Sequence, residues 1–528
     1  MVSAEPGRPR ARYRLGPLEQ RGVVAGWRAG QLLTVATSLV VAVGALRARP
    51  SVGGVVAAVV AVGAGVALAC VPVRGRSAEQ WAPLVARYTW AGWAGRRRWT
   101  SPVPAAGRTP GVVAADGSQG GRQAWRRTAS PVPGRHAGRP VPARAAGVLG
   151  GVSLVADDGE LGGRSRPVGL VVDDRTRTVT AVLGVRGHSF ALLAPHDQDR
   201  QVGGWGRTLA SLAREGTAVH RLQWVETCLP DDGRAVAEDR VRRGTLFAGP
   251  AARSYDRLVE EAAPVSRRHR VLVAVSVHLG RAGRQVRAAG GGVEGAARLL
   301  GREVVALARL LADADVDVDG LLGPGALADA LRLSYGGPPP WVAHDEGPGE
   351  RPDPSWSWSW PWPLAVEPHW DAVRVDGTWH ATYWVAEWPR SDVTPEFLGP
   401  LLFLPVRRAM AVTMEPVTPA RAARQVARAR TADRADAELR RRGGFLATAR
   451  QARERSAADE RDAELAEGHA QFRFSGYVTV TADSLDALRQ ATALVEQAAG
   501  QARLELRLLY GQQDTAFTCT LPLGRGLS

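Results

Sequence analysis

Two nearly charge-free apolar runs lie close together near the front of the chain, and few folds can accommodate them. The first is Ala29–Leu46, 18 residues, and the second is Val52–Val73, 22 residues, with Arg47–Ser51 between them. A helix rises about 1.5 Å per residue, so about 20 apolar residues cross a hydrocarbon core roughly 30 Å thick. Backbone amides in lipid must be satisfied within their own segment, which makes two antiparallel transmembrane helices the economical solution. The rival solutions are a signal peptide and the core hairpin of a soluble protein. A signal peptide has a short apolar core and a small-residue cleavage site. Here a second full-length run follows at once. Arg10, Arg12, Arg14, Arg21 and Arg28 precede the first run, Arg74, Arg76 and Arg87 follow the second, and the loop carries Arg47 and Arg49. Positive flanks stay in the cytoplasm, so a multi-pass protein of the cytoplasmic membrane with both termini inside is expected. Gly44, Gly63, Gly65 and many alanines allow close helix contact.

The 528 residues leave room for a membrane module and two or three soluble domains. All 68 basic residues are arginine and 60 residues are glycine, a bias expected of a GC-rich genome. The net charge of +16 is therefore a poor sign of nucleic-acid binding, and none is expected. It does suit a chain lying against anionic membrane lipids. Cys70, Cys228 and Cys519 are too few and too scattered for a disulfide framework or a zinc site.

The expected fold class is α+β: a transmembrane helical hairpin followed by two cytoplasmic mixed α/β domains. Residues 1–28 form a basic tail, 29–73 the hairpin, and 74–99 a juxtamembrane segment. Within the last, Ser77–Trp93 reads as a helix with Trp81, Tyr88 and Trp90 near one side. It is either an interfacial helix or an amphipathic helix docked on the soluble part. Residues 100–147, rich in Pro, Gly and Ser, read as a flexible linker. Residues 148–335 form the first α/β domain. Its expected strands are Pro167–Val172, Val179–Val185, Thr217–Thr227 and Arg270–Leu279, with His188–Ala194 a candidate fifth. Its helices are Arg200–Arg214, Ser254–Ala263 and Val293–Ala312, and Asp317–Ser334 gives a turn and a short helix.

Residues 336–375 are a Pro/Trp-rich loop in which Trp356, Trp358, Trp360 and Trp362 alternate with Ser or Pro. It is either a partner or membrane contact or an insertion covering its own domain. Residues 376–524 form the second α/β domain, which repeats the logic of the first. Strands are expected at Trp379–Trp388, Arg408–Glu415 (stopped by Pro416), Phe472–Thr481, Leu504–Leu509 and Phe517–Leu521. Helices are expected at Thr394–Phe403 and at Ser484–Ala499, with a charged helical hairpin inserted over 419–468 and turning at Gly443-Gly444.

The chemistry is mostly negative. A chain without lysine has no Walker loop. Neither H-E-x-x-H nor paired cysteines occur, nor a G-x-S-x-G elbow. Gly290-Gly291-Gly292-Val293-Glu294-Gly295 matches the dinucleotide glycine pattern formally. About ten residues separate it from the preceding strand, where the fingerprint needs a tight turn. Asp315, Asp317 and Asp319 before Gly320 mimic the start of a calcium loop, but the closing glutamate is replaced by Ala326. No catalytic, cofactor-binding or metal-binding residue is expected, and the chain is read as a non-enzyme.

A resemblance adds to this reading. The second half resembles the N-terminal, non-catalytic domain of the large ATPase of type IV secretion and conjugation systems. The matching features, in order, are the strand carrying Tyr383 and Trp384 to Trp388-Pro389, then Met414-Glu415-Pro416, the charged helical hairpin, Phe474–Thr481 with Ser484–Leu488, and Leu521-Pro522-Leu523-Gly524. The front resembles actinobacterial membrane proteins of conjugation-type clusters, through Tyr13–Glu19, Pro72-Val73-Arg74-Gly75-Arg76, Trp81 and Arg96–Trp99. In the ATPase family the Leu521–Gly524 type of terminus precedes the nucleotide-binding domain, and this chain stops there. The resemblance implies a membrane-anchored scaffold without an ATPase of its own. It would dock a separate secretion or conjugation ATPase, a small inner-membrane subunit, or further copies of itself. Two alternatives share the topology. One is a type VII secretion membrane component of the "E" kind. The other is a membrane-tethered nucleotide-binding enzyme using Gly290–Gly295.

Overall fold

Helix α1 (Ala29–Ala48) and helix α2 (Val52–Cys70) are antiparallel neighbours and carry almost all their apolar surface outward. The computed structural model describes residues 29–48, 51–70, 76–95, 97–100, 113–114, 147–157, 167–187, 190–231, 249–262, 266–337, 361–389, 391–425, 427–428, 431 and 470–527. The tail 1–28, most of the linker 100–147, the loop centre 338–360 with Trp356, Trp358 and Trp360, and the insertion 432–469 lie outside the described residues. Both helices are long and apolar enough to cross a membrane. A core hairpin would be covered by the rest of the chain, yet Val40, Val52 and Val59 stay more than half exposed. The contact between the two helices is made by small residues. A Cβ on Gly65 would fall 2.3 Å from Ser38 Oγ, and the Gln31 amide donates to the Ala69 carbonyl at 2.8 Å.

The rest of the described chain is built on one sheet of fourteen strands. In chain order these are β1 (Trp99–Thr100), β2 (Val113–Ala114), β3 (Val152–Asp157), β4 (Val168–Asp173), β5 (Thr178–Gly187), β6 (Val219–Pro230) and β7 (Arg267–His278). They continue as β8 (Val316–Leu321), β9 (Ala365–Pro368), β10 (Val373–Val375), β11 (Thr378–Glu387), β12 (Arg408–Val417), β13 (Gln471–Ala482) and β14 (Glu505–Leu508). The spatial order is β1-β9-β10-β11-β13-β12-β6-β7-β5-β4-β3-β2, with β8 beside β5 and β14 beside β11. All pairings are antiparallel except β2 with β3.

The order is a duplication about a pseudo-two-fold axis. The hairpin β4–β5 corresponds to β10–β11. Strands β7 and β6 follow outward from β5 as β13 and β12 follow from β11, and the halves join where β6 meets β12. The registers agree residue by residue. Leu183 faces Val273, which faces Trp224; Tyr383 faces Val478, which faces Met410. Under that correspondence Val225 and Ala411 are equivalents, and they pair with each other on the axis. Cys228 pairs with Arg408 on one side, and their counterparts Met414 and Leu222 pair on the other. The punctuation also repeats. Asp315 and Arg503 both take positive φ just before β8 and β14, and both of those strands join their neighbour through a register shift.

Helices cover both faces. Helix α4 (Pro195–Leu212) and helix α7 (Gly292–Ala312) lie over the first half, where Leu300, Val304, Leu307 and Leu311 of α7 meet Val273 and Val275. Helix α5 (Pro250–Ala262) precedes β7, and helix α6 (Gly283–Ala288) follows it. Helix α10 (Leu485–Gln501) matches α7 over the second half, and Ser484 caps it by accepting from the Ala487 amide at 3.2 Å. On the opposite face helix α8 (Pro324–Tyr335) and helix α11 (Gln513–Phe517) share one core with Val225 and Ala411. Trp362, at the described end of the Pro/Trp-rich loop, is fully buried there.

Several expected elements differ. Val316–Leu321 is a strand, not a turn, because Val316 and Val318 pack on the core while Asp319 turns out to Arg186. His188–Ala194 is not a strand in its described part; Phe190–Leu192 is a 3-10 turn. Of Thr394–Phe403 only helix α9 (Gly399–Leu402) is helical beyond turns. Pro416 does not stop β12. It lies beyond the last pair with β6, where no amide is needed on that side, and β13 still faces it at Phe472. Phe517–Leu521 is not a strand but the end of α11 and a 3-10 turn. Thr518 and Thr520 hydroxyls there bond to Thr515 and Phe517 carbonyls, a local competitor to strand pairing.

Candidate functional site

Three features give the body its character: the seam between the halves, a C-terminal strap across it, and a cleft beside the juxtamembrane helix. At one end of the seam the fully buried Arg408 guanidinium donates to Glu226, across β6 and β12, and to the Leu402 carbonyl. The other Glu226 oxygen meets His269 Nδ1 at 2.7 Å. At the far end Arg281 donates to Glu415 at 2.5 Å, and Arg221 stands 3.7 Å from the same carboxylate. Burial alone would raise the Glu415 pKa, but the Arg281 hydrogen bond and charge, with His220 and Arg221, bring it below the usual carboxylate range. Burial, then Arg221 and Arg281, pushes His220 down to about 4, so it is neutral at pH 7.

The strap is Leu521–Leu527. Arg525 forks onto Asp173 at 2.7 and 3.1 Å in the first half. The Thr413 and Tyr477 hydroxyls of the second half donate to the Arg525 and Gly526 carbonyls at 2.5 and 2.7 Å. Gln223, fully buried on β6, donates to Cys519 O and accepts from the Gly524 amide, both at 2.8 Å. Gly524 has φ +68°, and a Cβ there would fall 2.1 Å from Ser276 Oγ, so this crossing needs glycine. Leu521-Pro522-Leu523-Gly524, singled out in the sequence as a terminal motif, thus ties the two halves together.

Helix α3 (Ala78–Trp93) docks on the body through one face. Trp81 stacks on Trp370 at 5.9 Å and lies 5.6 Å from Tyr510, while Tyr88 meets Trp370 edge-on at 4.9 Å. Its other end presents Trp90 and Trp93 to the outside, 63% and 85% exposed. The docked reading of Ser77–Trp93 thus describes the face carrying Trp81 and Tyr88, while Trp90 and Trp93 are left uncovered by the body. Beside α3 a cavity of about 310 Å³ is lined by Arg87, Arg97, Arg175, Asp514 and, at its buried side, Tyr335. Among the described residues the Tyr335 hydroxyl has no hydrogen-bond partner, and burial raises its pKa.

The motifs marked in the sequence go elsewhere. Gly290, Gly291 and Gly292 all have positive φ and form the turn between α6 and α7, away from any strand end. The Gly290 and Gly291 amides donate to the Arg287 and Val286 carbonyls, so the groups that would cradle a phosphate are already bonded. A Cβ on Gly295 would fall 2.4 Å from Val286 O, which gives the pattern a packing reason. Asp315 and Asp319 pair with Arg200 and Arg186 respectively. Among the described residues no group of three metal-ligating side chains converges. Cys228 and Cys519 are buried, and Cys519 is pushed up to about 12 by burial, so both are protonated thiols at neutral pH. The seam charges, the strap and the Tyr335 cleft join residues far apart in the chain, and no spacing in the sequence marks them.

The fold defines a class: a helical hairpin long and apolar enough to cross a membrane, followed by a duplicated α+β body. The family model described as "Putative type VII ESX secretion system translocon, EccE" matches residues 265–385. The match runs from β7 to β11, spanning the end of one half and the beginning of the other. No curated protein matches the chain. The match favours the "E"-type alternative, and no match supports the type IV ATPase-domain resemblance expected of the second half.

Proposed function

We propose that this protein is a non-enzymatic, membrane-anchored structural component of a type VII secretion membrane complex. The observation that carries the reading is the EccE match over residues 265–385, on a chain that also holds two helices able to cross a membrane. In this reading α1 and α2 span the cytoplasmic membrane, and the arginine flanks keep both termini and the body in the cytoplasm. The two halves, 148–335 and 376–524, act as one rigid docking platform for other membrane components of the machine. The buried ionic seam and the strap support that rigidity. A motor ATPase belonging to the same complex is the expected source of energy, since this chain has no lysine for a Walker loop.

Deletion of the gene tests the assignment. Loss of type VII substrates from the culture medium, restored by the intact chain and not by one lacking residues 29–70, supports it. Unchanged secretion together with impaired plasmid transfer would return the protein to the type IV reading.

A further inference from the structure

The cleft beside α3 has the chemistry of a binding site. Its volume of about 310 Å³ lies at the lower end of small-ligand pockets, roughly 300–1,000 Å³. Arg87 and Arg97 come from the juxtamembrane segment and Arg175 from the β4–β5 turn, so two separate stretches of the fold bring one charge type to its lining. Arg97 is held in place: its guanidinium lies 3.7 Å from the Tyr88 ring centroid and donates to the Tyr88 carbonyl. Among the described residues Arg87 and Arg175 have no acidic partner, and Asp514, the one acid on the wall, already accepts from Thr515. The lining also has an apolar wall, with Leu149, Val366, Val373 and Phe517. At its buried side stands the Tyr335 hydroxyl, which is unpartnered among the described residues although Tyr335 is only 1% exposed. A buried hydroxyl without a partner costs stability unless something fills the role.

We infer that this cleft binds a phosphate-bearing anion with a compact organic body, its phosphate among Arg87, Arg97 and Arg175 and a polar group on the Tyr335 hydroxyl. Arginine forks suit phosphate oxygens, and the apolar wall demands more than a bare ion. Two sources carry this chemistry: the headgroup and glycerol of an anionic phospholipid, and a soluble phosphate ester. Placement favours the lipid. Helix α3 starts eight residues after α2 ends, so the cleft is walled by the first element beyond the hairpin. The lipid source rests on the membrane reading above; the phosphate chemistry does not.

The test uses the full chain in phosphatidylcholine nanodiscs with graded phosphatidylglycerol, with retained lipid counted by native mass spectrometry. Incorporation into nanodiscs is scored first, so a failure of the membrane reading is seen separately from a failure of binding. Wild type is expected to retain one phosphatidylglycerol per chain. Arg87→Gln/Arg175→Gln should weaken retention at least tenfold, and Tyr335→Phe about threefold, with melting temperatures not lowered. A parallel arm adds glycerol 1-phosphate or inorganic phosphate. Lipid retained against both assigns the site to the leaflet; displacement with the same dependence on the variants assigns it to a soluble phosphate ester. Equal retention by wild type and variants, or no retention by either, overturns the site.

Discussion

Arg408 and Glu226 provide a quantitative test of the seam. The Arg408 guanidinium is fully buried, and its partner carboxylate is 5% exposed. In the other half the equivalent positions are Leu222 and Val412, so the duplication itself supplies the apolar replacements. Arg408→Leu leaves the Glu226 carboxylate with His269 alone and frees the Leu402 carbonyl. Removing one partner of a buried pair costs about 3–5 kcal/mol. For a body of this size about 2 °C of melting temperature accompanies each kcal/mol, so Arg408→Leu should melt roughly 6–10 °C lower. Glu226→Val should cost a similar amount. The double variant restores the pattern of the other half and should fall within about 2 kcal/mol of wild type, because a well-packed apolar pair often replaces a buried ion pair without loss. The assay is thermal unfolding of the three variants of the full chain in detergent, read as a double-mutant cycle. Single losses under about 1 kcal/mol, or a double loss equal to the sum of the singles, would refute the claim that this pair is coupled across the seam.

Gly524→Ala should cost about 1–2 kcal/mol for its positive φ plus the overlap with Ser276 Oγ, and adding Ser276→Ala should recover only the overlap, as followed by melting temperature. His380 is fully buried and pushed down to about 3 by burial and by Arg407, so its unfolded form binds the proton first. Stability should therefore fall as pH drops from about 6.5 towards 3, by up to roughly 1.4 kcal/mol per unit, and His380→Asn should flatten that part of the melting curve against pH. Trp370→Ala removes the ring that Trp81 and Tyr88 share, loosening α3 by about 1–3 kcal/mol. Amide exchange over residues 78–93 should then run roughly tenfold to a hundredfold faster, with the sheet unchanged.

The hairpin is legible because its signal is length and the absence of charge, which no tertiary contact modifies. Strands β5, β6, β7, β11, β12 and β13 are legible within a few residues because long β-branched runs are buried on both faces under helices. The weaker edge strands are another matter. Val316–Leu321 contains Asp-Gly, the chemistry of a turn, and its alternation of Val with Asp is the signal that outranks it. Val373–Val375 is three residues long, and only its pairing with β9 on one side and β11 on the other makes it a strand. The repeated logic of the two halves shows in the order of elements, yet the axis at Val225 and Ala411 does not, since register between distant strands is set by packing. The seam and strap stayed hidden for the same reason: Glu226 and Arg408, and Asp173 and Arg525, meet only once the sheet has formed. Tyr335 reads in the sequence as the end of a domain, and its buried, unpaired hydroxyl is visible only in three dimensions.

The central claim is that this chain is a fixed part of a type VII secretion membrane complex. Affinity purification of the tagged full chain from gently solubilised native membranes, followed by native electrophoresis and mass spectrometry of the excised band, tests it most directly. The account predicts a high-mass band holding this chain in fixed ratio with type VII membrane components and their motor ATPase. A free monomer, or co-migration with a conjugation ATPase instead, would contradict it.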